Sequence, residues 1–490
     1  MTTITVVFIL YLALMLGVSL YAGRSKVNGS EDFFLGGRKV GGLATGLSAA
    51  ASGRSGGTML GNAGLAFMFG FHALWLSIGF TLVEFFGVKF LAPKLRRYSA
   101  KHKCLTVSDY LSSRFGDDEK NRIRTVTSVI ILIFMAVYLA SQLLAMRLVF
   151  TSILGWPAAL GILVAAVTIA MYCFFGGYVA VVWTDVIQAV LMILALIGIP
   201  IVALSHLGGL SGLYAALKNI EPNLTILLPE GRYSWVLGQV VGVGLMQFGL
   251  IHTVVRWMSA GSTEELELAA PVDLISNTIV CFGGMLVGWC GRAMFQSVEN
   301  LIEANSEMVF LNVTFALLPG LVAGIAVSAV FAAVMSSADS QLMVASSCLM
   351  SDLYQKVRRK GRQLTDKQLT WGGRISVLVI MLFAYVWAMN ASDGVYLLTV
   401  FAGAVLAGGI GIPMVISLVW RGTTKAGFYA GMIAGTLTAV IWKYSGLTSI
   451  LTEAMMAILV SGLAVYLVSL CTKPAPPEEL EQIFADLNQD

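Results

Sequence analysis

The sequence contains few charged residues for its length. Only 12% of its 490 residues are Asp, Glu, Lys or Arg, whereas 57% are hydrophobic. Soluble domains usually carry about 25% charged residues. The apolar residues fall into runs of about 18 to 30, long enough to cross roughly 30 Å of hydrocarbon as helices. Because the bilayer interior offers no water to the backbone, these runs must be helical. The composition excludes a soluble protein and predicts an all-α, multi-pass protein of the cell membrane.

Signatures of several other protein classes are also missing. The six cysteines are scattered, without the Cys-x-x-Cys or His/Cys spacing of a zinc site or a disulfide framework. The glycine-rich stretches lack the Gly-Lys-Ser/Thr ending of a nucleotide-binding loop, which argues against ATP-driven chemistry. No basic stripe with interleaved aromatics is present, so nucleic acid is not an expected partner. We expect neither an enzyme nor an obligate protein partner.

The hydrophobic runs divide into thirteen candidate membrane spans, numbered 1 to 13 in chain order. They cover residues 4–23, 41–70, 71–93, 124–153, 157–175, 181–206, 234–258, 273–295, 308–350, 372–391, 395–419, 426–443 and 450–471. Span 9 is too long for a straight crossing, so part of it must be a connecting extension. We expect one transmembrane domain over residues 1–471 and a cytoplasmic tail over residues 472–490.

The distribution of basic residues predicts the orientation of the chain. If the N-terminus is outside, the inner loops hold 24 of the 31 Lys and Arg residues, with Arg256 counted among them. The outer loops then hold only four. Cytoplasmic loops carry the excess of Lys and Arg in membrane proteins. The N-terminus is therefore expected outside, and an odd number of spans places the C-terminus inside.

Span 2 is rich in glycine and serine, unlike most of the other spans. Its centre reads Ser52-Gly53-Arg54-Ser55-Gly56-Gly57-Thr58. Since glycine costs about 1 kcal/mol in a helix interior, we expect an unwound break across residues 53–57. Unwound backbone at this depth can ligate a cation through its carbonyls, and half-helix N-termini can face an anion. The alternative is that the small residues only allow helices to pack closely.

Arg54 lies about halfway along span 2. A charge at that depth costs several kcal/mol or more unless it is paired or solvated, so an ionisable residue there is a functional candidate. Arg54 could contact a bound solute, or it could form a structural pair with Glu84 of span 3. The two interpretations are compatible, because a solute carboxylate and Glu84 could compete for the same guanidinium.

Spans 9 and 6 also carry polar residues. Span 9 contains Ala332-Ala333-Val334-Met335-Ser336-Ser337-Ala338-Asp339-Ser340-Gln341. Adjacent hydroxyls with a carbonyl one turn earlier would form a cluster of hard oxygens suited to Na⁺, although helical serines also bond to their own backbone. Asp339 of span 9 and Asp185 of span 6 are candidates for an ion pathway or gate. An interfacial or merely hydrogen-bonded role for Asp185 remains open.

Several motifs of this chain resemble the sodium:solute symporter family, most closely its proline/sodium symporter branch. They are Asp32-Phe33-Phe34-Leu35-Gly36-Gly37-Arg38, Gly176-Gly177 with Trp183-Thr184-Asp185 and Gln188, and the 332–340 run followed by Ser351-Asp352-Leu353-Tyr354. The resemblance extends from about Tyr11 to Val468. It implies a LeuT-type core over residues 41–419, in which spans 2–6 and 7–11 are inverted five-helix repeats.

The resemblance also implies a set of site residues and Na⁺ as the coupling ion. The sodium ligands would be the carbonyls of Ala51, Arg54 and Ala333 and the hydroxyls of Ser336 and Ser337. Beside this site, the solute would meet Ser55, Gly56 and Gly57 of span 2 and Gln247 of span 7.

This chain departs from the proline carriers of the family at the expected solute site. Those carriers have an aspartate, a methionine and a tryptophan where this chain has Gly53, Arg54 and Gly57. Their span-7 aromatic and proline are Gln247 and Ile251 here. An arginine in this pocket suggests a solute that bears a carboxylate.

The expected function is therefore secondary active, Na⁺-coupled symport of a small carboxylate-bearing solute, such as a proline-like amino acid or an organic acid. The expected partners are this solute and the lipid bilayer. Two alternatives remain open: a proton-coupled or uncoupled carrier of the same fold, and a membrane solute sensor.

Overall fold

The computed structural model describes residues 2–25, 29–118, 120–151, 155–228, 230–231, 233–359, 364–391, 394–449 and 451–488. The described chain is built from helices, which run in order as follows: α1 (Thr2–Ser25), α2 (Ser30–Leu35), α3 (Gly42–Gly53), α4 (Asn62–Phe69), α5 (Leu74–Phe86), α6 (Ala92–Lys101), α7 (Val107–Arg114), α8 (Arg122–Val149), α9 (Ala158–His206), α10 (Gly209–Ile220), α11 (Tyr233–Leu237), α12 (Ile251–Ser259), α13 (Thr263–Phe295), α14 (Val309–Leu317), α15 (Gly320–Ser347), α16 (Asp366–Asn390), α17 (Val395–Leu406), α18 (Ile412–Val419), α19 (Lys425–Tyr444), α20 (Glu453–Cys471) and α21 (Pro477–Asn488). Short 3₁₀ and π-helical turns connect several of them.

Many of these helices are long and apolar enough to cross a membrane. Within the described residues nine meet that standard, or ten if Tyr233–Gly249 and Ile251–Ser259 count as one bent span. α9 has 49 residues, about twice the length that one crossing needs. It bends at Gly177, whose φ of 55° and ψ of −154° are non-helical and suit a residue without a Cβ. Predicted spans 5 and 6 are therefore the two arms of α9.

α15 forms the centre of the molecule. Every residue from 326 to 348 is buried, and the helix packs against α1, α3, α8 and α9. α1 lies at the periphery and exposes large apolar side chains such as Leu10 and Tyr21. The innermost helix is thus the one whose sequence carries the serine run, which brings polar oxygens into the core.

Two of the helical segments in the core are broken. α3 ends at Gly53, Arg54 is extended with φ −120° and ψ 88°, and the chain resumes helical structure through the π-helical turn Gly57–Gly61 into α4. This confirms the break predicted from glycine content. The second break, a 54° bend at Leu250 before α12, was not predicted. A Cβ on Gly249 would lie 2.3 Å from the Ala407 nitrogen, so tertiary packing rather than local propensity accounts for it.

Several predicted boundaries were wrong. Span 9 consists of two helices, α14 and α15, which are separated at Leu318 and Pro319. Span 8 starts ten residues too late, because the Ser262 hydroxyl accepts from the Glu265 amide and caps α13 at its acidic first turn. The predicted ends of spans 4 and 13, residues 152–153 and 450, lie outside the described residues.

Arg256 is not in a loop, as the charge count assumed. It belongs to α12, and its side chain is only 1% exposed. It therefore carries no information about orientation, although most of the remaining basic residues still fall in the predicted inner loops. Because Arg256 is buried in the helix that follows the bend at Leu250, it is instead a candidate for the functional site.

The tail contains an ordered helix, α21, that packs against α6. Asp486 contacts the Lys101 Nζ at 2.6 Å and the His102 Nε2 at 2.8 Å, while Phe484 and Leu487 are buried. Burial raises the pKa of the Asp486 carboxyl, but the bonds from Lys101 and His102 outweigh it and hold that pKa below its usual value. The tail is thus docked on the same end of the molecule as α6.

Candidate functional site

The end of α3 and the middle of α15 bring together four of the five oxygens that were predicted to bind sodium, all but the Arg54 carbonyl. The Ser336 hydroxyl donates to the Ala51 carbonyl at 2.9 Å and to the Ala333 carbonyl at 3.2 Å. The Ser337 hydroxyl donates to the Ser52 carbonyl at 2.9 Å. Because the break frees the last carbonyls of α3 from the helix ladder, they are available to partners on α15. The five oxygens are neutral and hard, a donor set that suits an alkali cation.

Ser52 takes a place that the sequence did not predict. Its carbonyl, rather than that of Arg54, is the one that Ser337 contacts, and His252 Nε2 lies 3.1 Å from the same oxygen. Its hydroxyl lies 3.1 Å from the Ser340 hydroxyl. A serine at the last turn before a predicted break is the only signal in the sequence that could have identified it.

Asp185 is fully buried against this oxygen cluster. Its Oδ2 accepts from Ser48 at 2.6 Å, from Ser52 at 2.9 Å and from Arg256 Nη2 at 2.9 Å. Arg256 also donates to the Ser340 hydroxyl. This geometry rules out the interfacial role that the sequence left open for Asp185. The aspartate links the second broken helix to the first, and Ser340 joins Ser52 and Arg256 to α15.

Asp339 is the second buried carboxylate of this region. It accepts from Tyr172 at 2.7 Å and from Ser340 at 2.8 Å. Ser340 therefore joins Asp339 to the partners of Asp185. We refer to Arg256, Asp185 and Asp339 as the Arg256 cluster.

A small cavity of about 30 Å³ lies beside the break. Its lining combines the two glycines Gly53 and Gly57 with polar and aromatic side chains: Thr58, Asn62, Phe80, Tyr138, Tyr396 and Thr399. A cavity needs about 10–15 Å³ to hold one water molecule, so this conformation is closed around a space for one or two waters. The lining side chains must separate before a solute can enter.

The other predicted solute residues take different positions around this cavity. Ser55 lies close to the hydroxyl of Tyr138, which lines the cavity. Gly56 faces away from it, because a Cβ there would lie 2.5 Å from Val334 and 3.1 Å from Ala145. Its amide donates to Gln142 at 3.2 Å. Gly56 thus lets the break approach α8 and α15 closely.

Arg54 is buried in a second cluster of charges, with no exposed side-chain surface. Its Nη2 lies 3.6 Å from Glu84 Oε2, both Nη atoms lie 3.4 Å from Gln247 Oε1, and the guanidinium covers the Phe80 ring at 4.7 Å. Gln247 in turn donates to the Phe80 carbonyl. Of the two roles proposed for Arg54, this conformation contains the pair with Glu84.

Asp273 of α13 completes this second group. Its carboxyl is a neighbour of the Glu84 carboxyl, and its Oδ1 accepts from Asn277 Nδ2 at 2.7 Å. We refer to Arg54, Glu84 and Asp273 as the Arg54 cluster. The sequence placed Asp273 at the start of span 8 and offered no indication that it would face Glu84.

Comparison with known proteins matches this architecture. The model of the sodium:solute symporter family matches residues 33–435. The chain is a member of the sodium:solute symporter family. It is 33% identical over 469 residues to the high-affinity proline transporter PutP of Bacillus subtilis, covering 95% of this chain and 98% of that protein. It is also 33% identical over 491 residues to the sodium/proline symporter of Escherichia coli, covering 99% and 96%.

The chain shares its fold with a solved structure of a Na⁺-coupled sialic acid symporter in its outward-open state. The TM-score is 0.81 at 21% identity, covering 97% of this chain and 98% of that one. The fold is therefore that of the LeuT-type transporters. As a sodium:solute symporter, the protein is a multi-pass transporter of the cell membrane, and it moves a small solute together with sodium.

Proposed function

We propose that the protein imports a small carboxylate-bearing solute, an amino acid or an organic acid, together with Na⁺ held between α3 and α15. The observation that carries the proposal is the convergence of the Ala51, Ser52 and Ala333 carbonyls with the Ser336 and Ser337 hydroxyls beside a cavity. The relatives that transport proline support an amino acid, and the altered cavity residues argue against assuming proline itself.

The ion site works by exchanging hydrogen bonds for ion contacts. In the closed conformation the two hydroxyls donate to carbonyls at 2.9 Å. When Na⁺ enters, these hydroxyl groups rotate so that their lone pairs face the ion. The carbonyl oxygens already face the same space and coordinate the ion with little movement. Because one ligand group sits on the broken helix and the other on α15, the ion ties the two elements together.

The solute site lies where the broken helix resumes. Gly57 and Thr58 open the second half of that helix and line the cavity. The N-terminal end of a helix carries partial positive charge and unpaired amides, which favour a carboxylate. Phe80 and Tyr138 supply apolar walls for the rest of the solute, and the absence of side chains at Gly53 and Gly57 leaves it room.

The energy of one sodium ion is sufficient for concentrative uptake. A potential of 100 mV supplies about 2.3 kcal/mol per charge. A tenfold Na⁺ gradient adds about 1.4 kcal/mol. Together they sustain a gradient of roughly 500-fold for a solute with no net charge. An anion carried with a single Na⁺ gains nothing from the potential, so a zwitterionic amino acid is the better cargo on energetic grounds.

We further propose thirteen crossings, with the N-terminus outside and the C-terminus inside, and with residues 41–419 forming two inverted repeats. The two arms of α9 and the bent pair around Leu250 support the count. Breaks in the first helix of each proposed repeat support the repeat. Residues 1–471 then form one transport domain, and residues 472–490 lie in the cytoplasm.

The test is uptake of labelled amino acids and carboxylic acids into proteoliposomes under three conditions. These are an inward Na⁺ gradient, the same Na⁺ concentration on both sides of the membrane, and K⁺ in place of Na⁺. We expect accumulation only with the Na⁺ gradient, for at least one amino acid. Flux that is indifferent to Na⁺ would leave an uncoupled carrier, and binding without any flux would favour a sensor.

A further inference from the structure

Several basic side chains at the end of the molecule where α21 docks are bonded to the protein itself. Arg96 donates to a backbone carbonyl at 2.6 Å, and Lys356 forms a salt bridge with a buried carboxylate. Three others, Lys120, Arg122 and Lys425, line one cavity together. Positive charge is thus left facing open space at one place on this end, which is cytoplasmic in the proposed topology.

The cavity lies where α8 and α19 begin, and its volume is about 660 Å³. Besides the three cations, the described residues of its lining are Asp118, Thr125, Val126 and Tyr429. Sites for small ligands have volumes of about 300–1,000 Å³. The space is therefore large enough for a molecule the size of a lipid headgroup.

The described lining carries three cations against one carboxylate. Asp118 Oδ2 lies 3.3 Å from Arg122 Nε, and Asp118 Oδ1 accepts from the Arg122 amide at 3.2 Å. Lys425 Nζ donates to the Gly116 carbonyl at 2.6 Å, and Lys120 is exposed. Because an ammonium group has three donors and a guanidinium five, most of these donors remain for a ligand. The cavity therefore favours an anion.

The neighbouring carboxylate of Asp117 is directed at the protein. It accepts from a serine hydroxyl and from the amides of Ile123 and Arg124, each at 3.0 Å. These amides at the start of α8 are thereby occupied, and the Thr424 hydroxyl caps the start of α19. The donors available to an anion are therefore the three basic side chains rather than the ends of the helices.

An exposed apolar stripe continues from the cavity along each of the two helices. On α8 it follows Arg122 at intervals of four, three and four residues, and on α19 it follows Lys425 and Tyr429 at intervals of four. Residues at these intervals are neighbours on a helix surface. The exposed members are Val126, Val129 and Ile133 on α8 and Ile433, Leu437 and Ile441 on α19. Each helix thus presents a basic residue first and apolar surface after it.

α17 joins the two stripes. Both α8 and α19 pack against it, and the ring of Phe401 on α17 contacts Phe134 of α8 at 5.9 Å and Tyr444 of α19 at 6.3 Å. The two helices therefore flank α17, with the cavity at the end where they begin. A ligand with an anionic head and apolar chains matches both parts of this surface, whereas a free anion would use only the first part.

We propose that this cavity binds the phosphate group of an anionic phospholipid, whose acyl chains lie along the exposed apolar residues of α8 and α19. The phosphate accepts charge-assisted hydrogen bonds from Lys120, Arg122 and Lys425. Basic pockets between transmembrane helices on the cytoplasmic side suit such headgroups. The bound lipid ties the start of α8 to the start of α19. This site requires the membrane domain of the family, but it depends on neither the proposed solute nor the proposed sodium ligands.

The first test measures lipid binding to the purified, delipidated protein by native mass spectrometry. Phosphatidylglycerol and phosphatidylcholine with the same acyl chains are compared, and we expect phosphatidylglycerol to bind more tightly. Lys120→Gln/Arg122→Gln should lower its association constant roughly 10- to 30-fold and leave phosphatidylcholine unchanged. Arg358→Gln/Lys367→Gln is the matched control, because it removes two exposed charges from the same end but outside the cavity. It should bind both lipids as the wild type does.

The second test separates a lipid from a free phosphate. The melting temperature of the protein in a neutral detergent is measured with phosphatidylglycerol, with glycerol 3-phosphate and with inorganic phosphate at equal concentrations. We expect only phosphatidylglycerol to raise it, since the two small anions lack the acyl chains that cover the apolar stripes. The increase should be absent in Lys120→Gln/Arg122→Gln and present in Arg358→Gln/Lys367→Gln.

Two outcomes overturn the lipid site. Equal binding of phosphatidylglycerol by the cavity variant and the wild type is one, and an equal loss in the control variant is the other, because it would show general attraction to a basic surface. Stabilisation by inorganic phosphate that the cavity variant abolishes also overturns it, in favour of a site for a free anion. If the cavity variant does not fold, by its melting curve without lipid, Lys425→Gln takes its place in the same comparison.

Failure of this proposal is distinguishable from failure of the proposed function, because neither test measures transport. Absence of Na⁺-driven uptake with a phosphatidylglycerol preference that the cavity variant loses leaves the lipid site standing. Na⁺-driven uptake without any such preference leaves the symport standing and overturns the lipid site.

Discussion

The Arg256 cluster and the Arg54 cluster contain the same kinds of charged group, but their carboxyl groups are bonded differently. Each contains one buried guanidinium and two buried carboxyl groups. In the Arg256 cluster the carboxyls are kept apart, and each accepts hydroxyl hydrogen bonds of 2.6 to 2.9 Å. In the Arg54 cluster the two carboxyls are neighbours, the contacts of Arg54 with Gly53, Gln247 and Glu84 are 3.2 to 3.6 Å long, and the Arg54 Nε has no partner among the described residues.

The difference teaches that two buried clusters of the same charges can have different surroundings. Both clusters lack one positive charge when all groups are ionised. Beside the Arg256 cluster lie the neutral oxygens of α3 and α15, so in our proposal Na⁺ supplies the missing charge. Beside the Arg54 cluster the neutral oxygens are the Gly53 carbonyl at 3.2 Å and Gln247 Oε1 at 3.4 Å, and both accept from Arg54 itself. The two clusters therefore differ in their surrounding oxygens rather than in their charges.

The largest effect should come from breaking the tight pair. Arg256→Gln leaves Asp185 buried without its cation, and removal of one partner from a buried pair destabilises by about 3–5 kcal/mol. We expect a large drop in the melting temperature in detergent, which the double variant Asp185→Asn/Arg256→Gln partly restores. Equal melting temperatures of the single variant and the wild type would show that the Arg256 cluster does not stabilise the fold.

The break between the two clusters can be probed at adjacent glycines. Gly56→Ala places a methyl 2.5 Å from Val334, whereas Gly57→Ala places one 3.4 Å from its nearest neighbours at the cavity. Overpacking costs about 1–3 kcal/mol, so Gly56→Ala should lower the melting temperature. Gly57→Ala should instead raise the solute concentration that gives half-maximal uptake. The reverse pattern would mean that Gly56, as first predicted, faces the solute.

The ion assignment of the first cluster predicts a change in sodium dependence. Ser336→Ala and Ser337→Ala each remove one hard ligand, and we expect the Na⁺ concentration for half-maximal uptake to rise about tenfold, equivalent to about 1.4 kcal/mol. Ser346→Ala is the matched control, since its hydroxyl is buried on the same helix but bonds to the Gly373 carbonyl at 3.0 Å. Unchanged Na⁺ dependence in both variants would remove the two serines as ligands.

The smallest effect should come from the charge pair at the surface. Asp486→Asn weakens the docking of α21 on Lys101, whose side chain is 63% exposed, and exposed pairs contribute about 0.2–1 kcal/mol. The pKa of Asp486 is held below its usual value, so its contribution is present above about pH 4 and is lost as pH falls through that lower pKa. Protease cleavage of the tail in inside-out vesicles should rise modestly, and Glu478→Gln should leave it unchanged.

Much of the fold was predictable because membrane spans follow from length and hydropathy. The break in span 2 was also predictable, since glycine acts locally on the backbone. The bend at Leu250 was not, because it depends on close contact between Gly249 and Ala407, which are distant in sequence. The start of α13 was missed for a related reason: its acidic first turns lower hydropathy, and only the Ser262 cap and the packing of the helix show where it begins.

The residues of the candidate site also divide into those that the sequence could predict and those that it could not. Ser336 and Ser337 could be selected from spacing and resemblance, because neighbouring hydroxyls on one helix keep their relation in any fold. The carbonyl partner Ser52 could not be selected with certainty, since it depends on how the end of α3 meets α15. Arg256 was misplaced in a loop, because hydropathy treats an arginine near a span end as solvated and cannot detect a buried aspartate on another helix.

By itself, the sequence determined that this is a helical membrane protein, that its second span breaks at Gly53–Gly57, and that an arginine must be neutralised inside it. These follow from the short-range preferences of the backbone and from the low polarity of the bilayer. Only the tertiary structure decided which groups do the neutralising. Glu84 of another helix lies 3.6 Å from Arg54, and such pairing depends on distances in space that residue spacing along a chain does not contain.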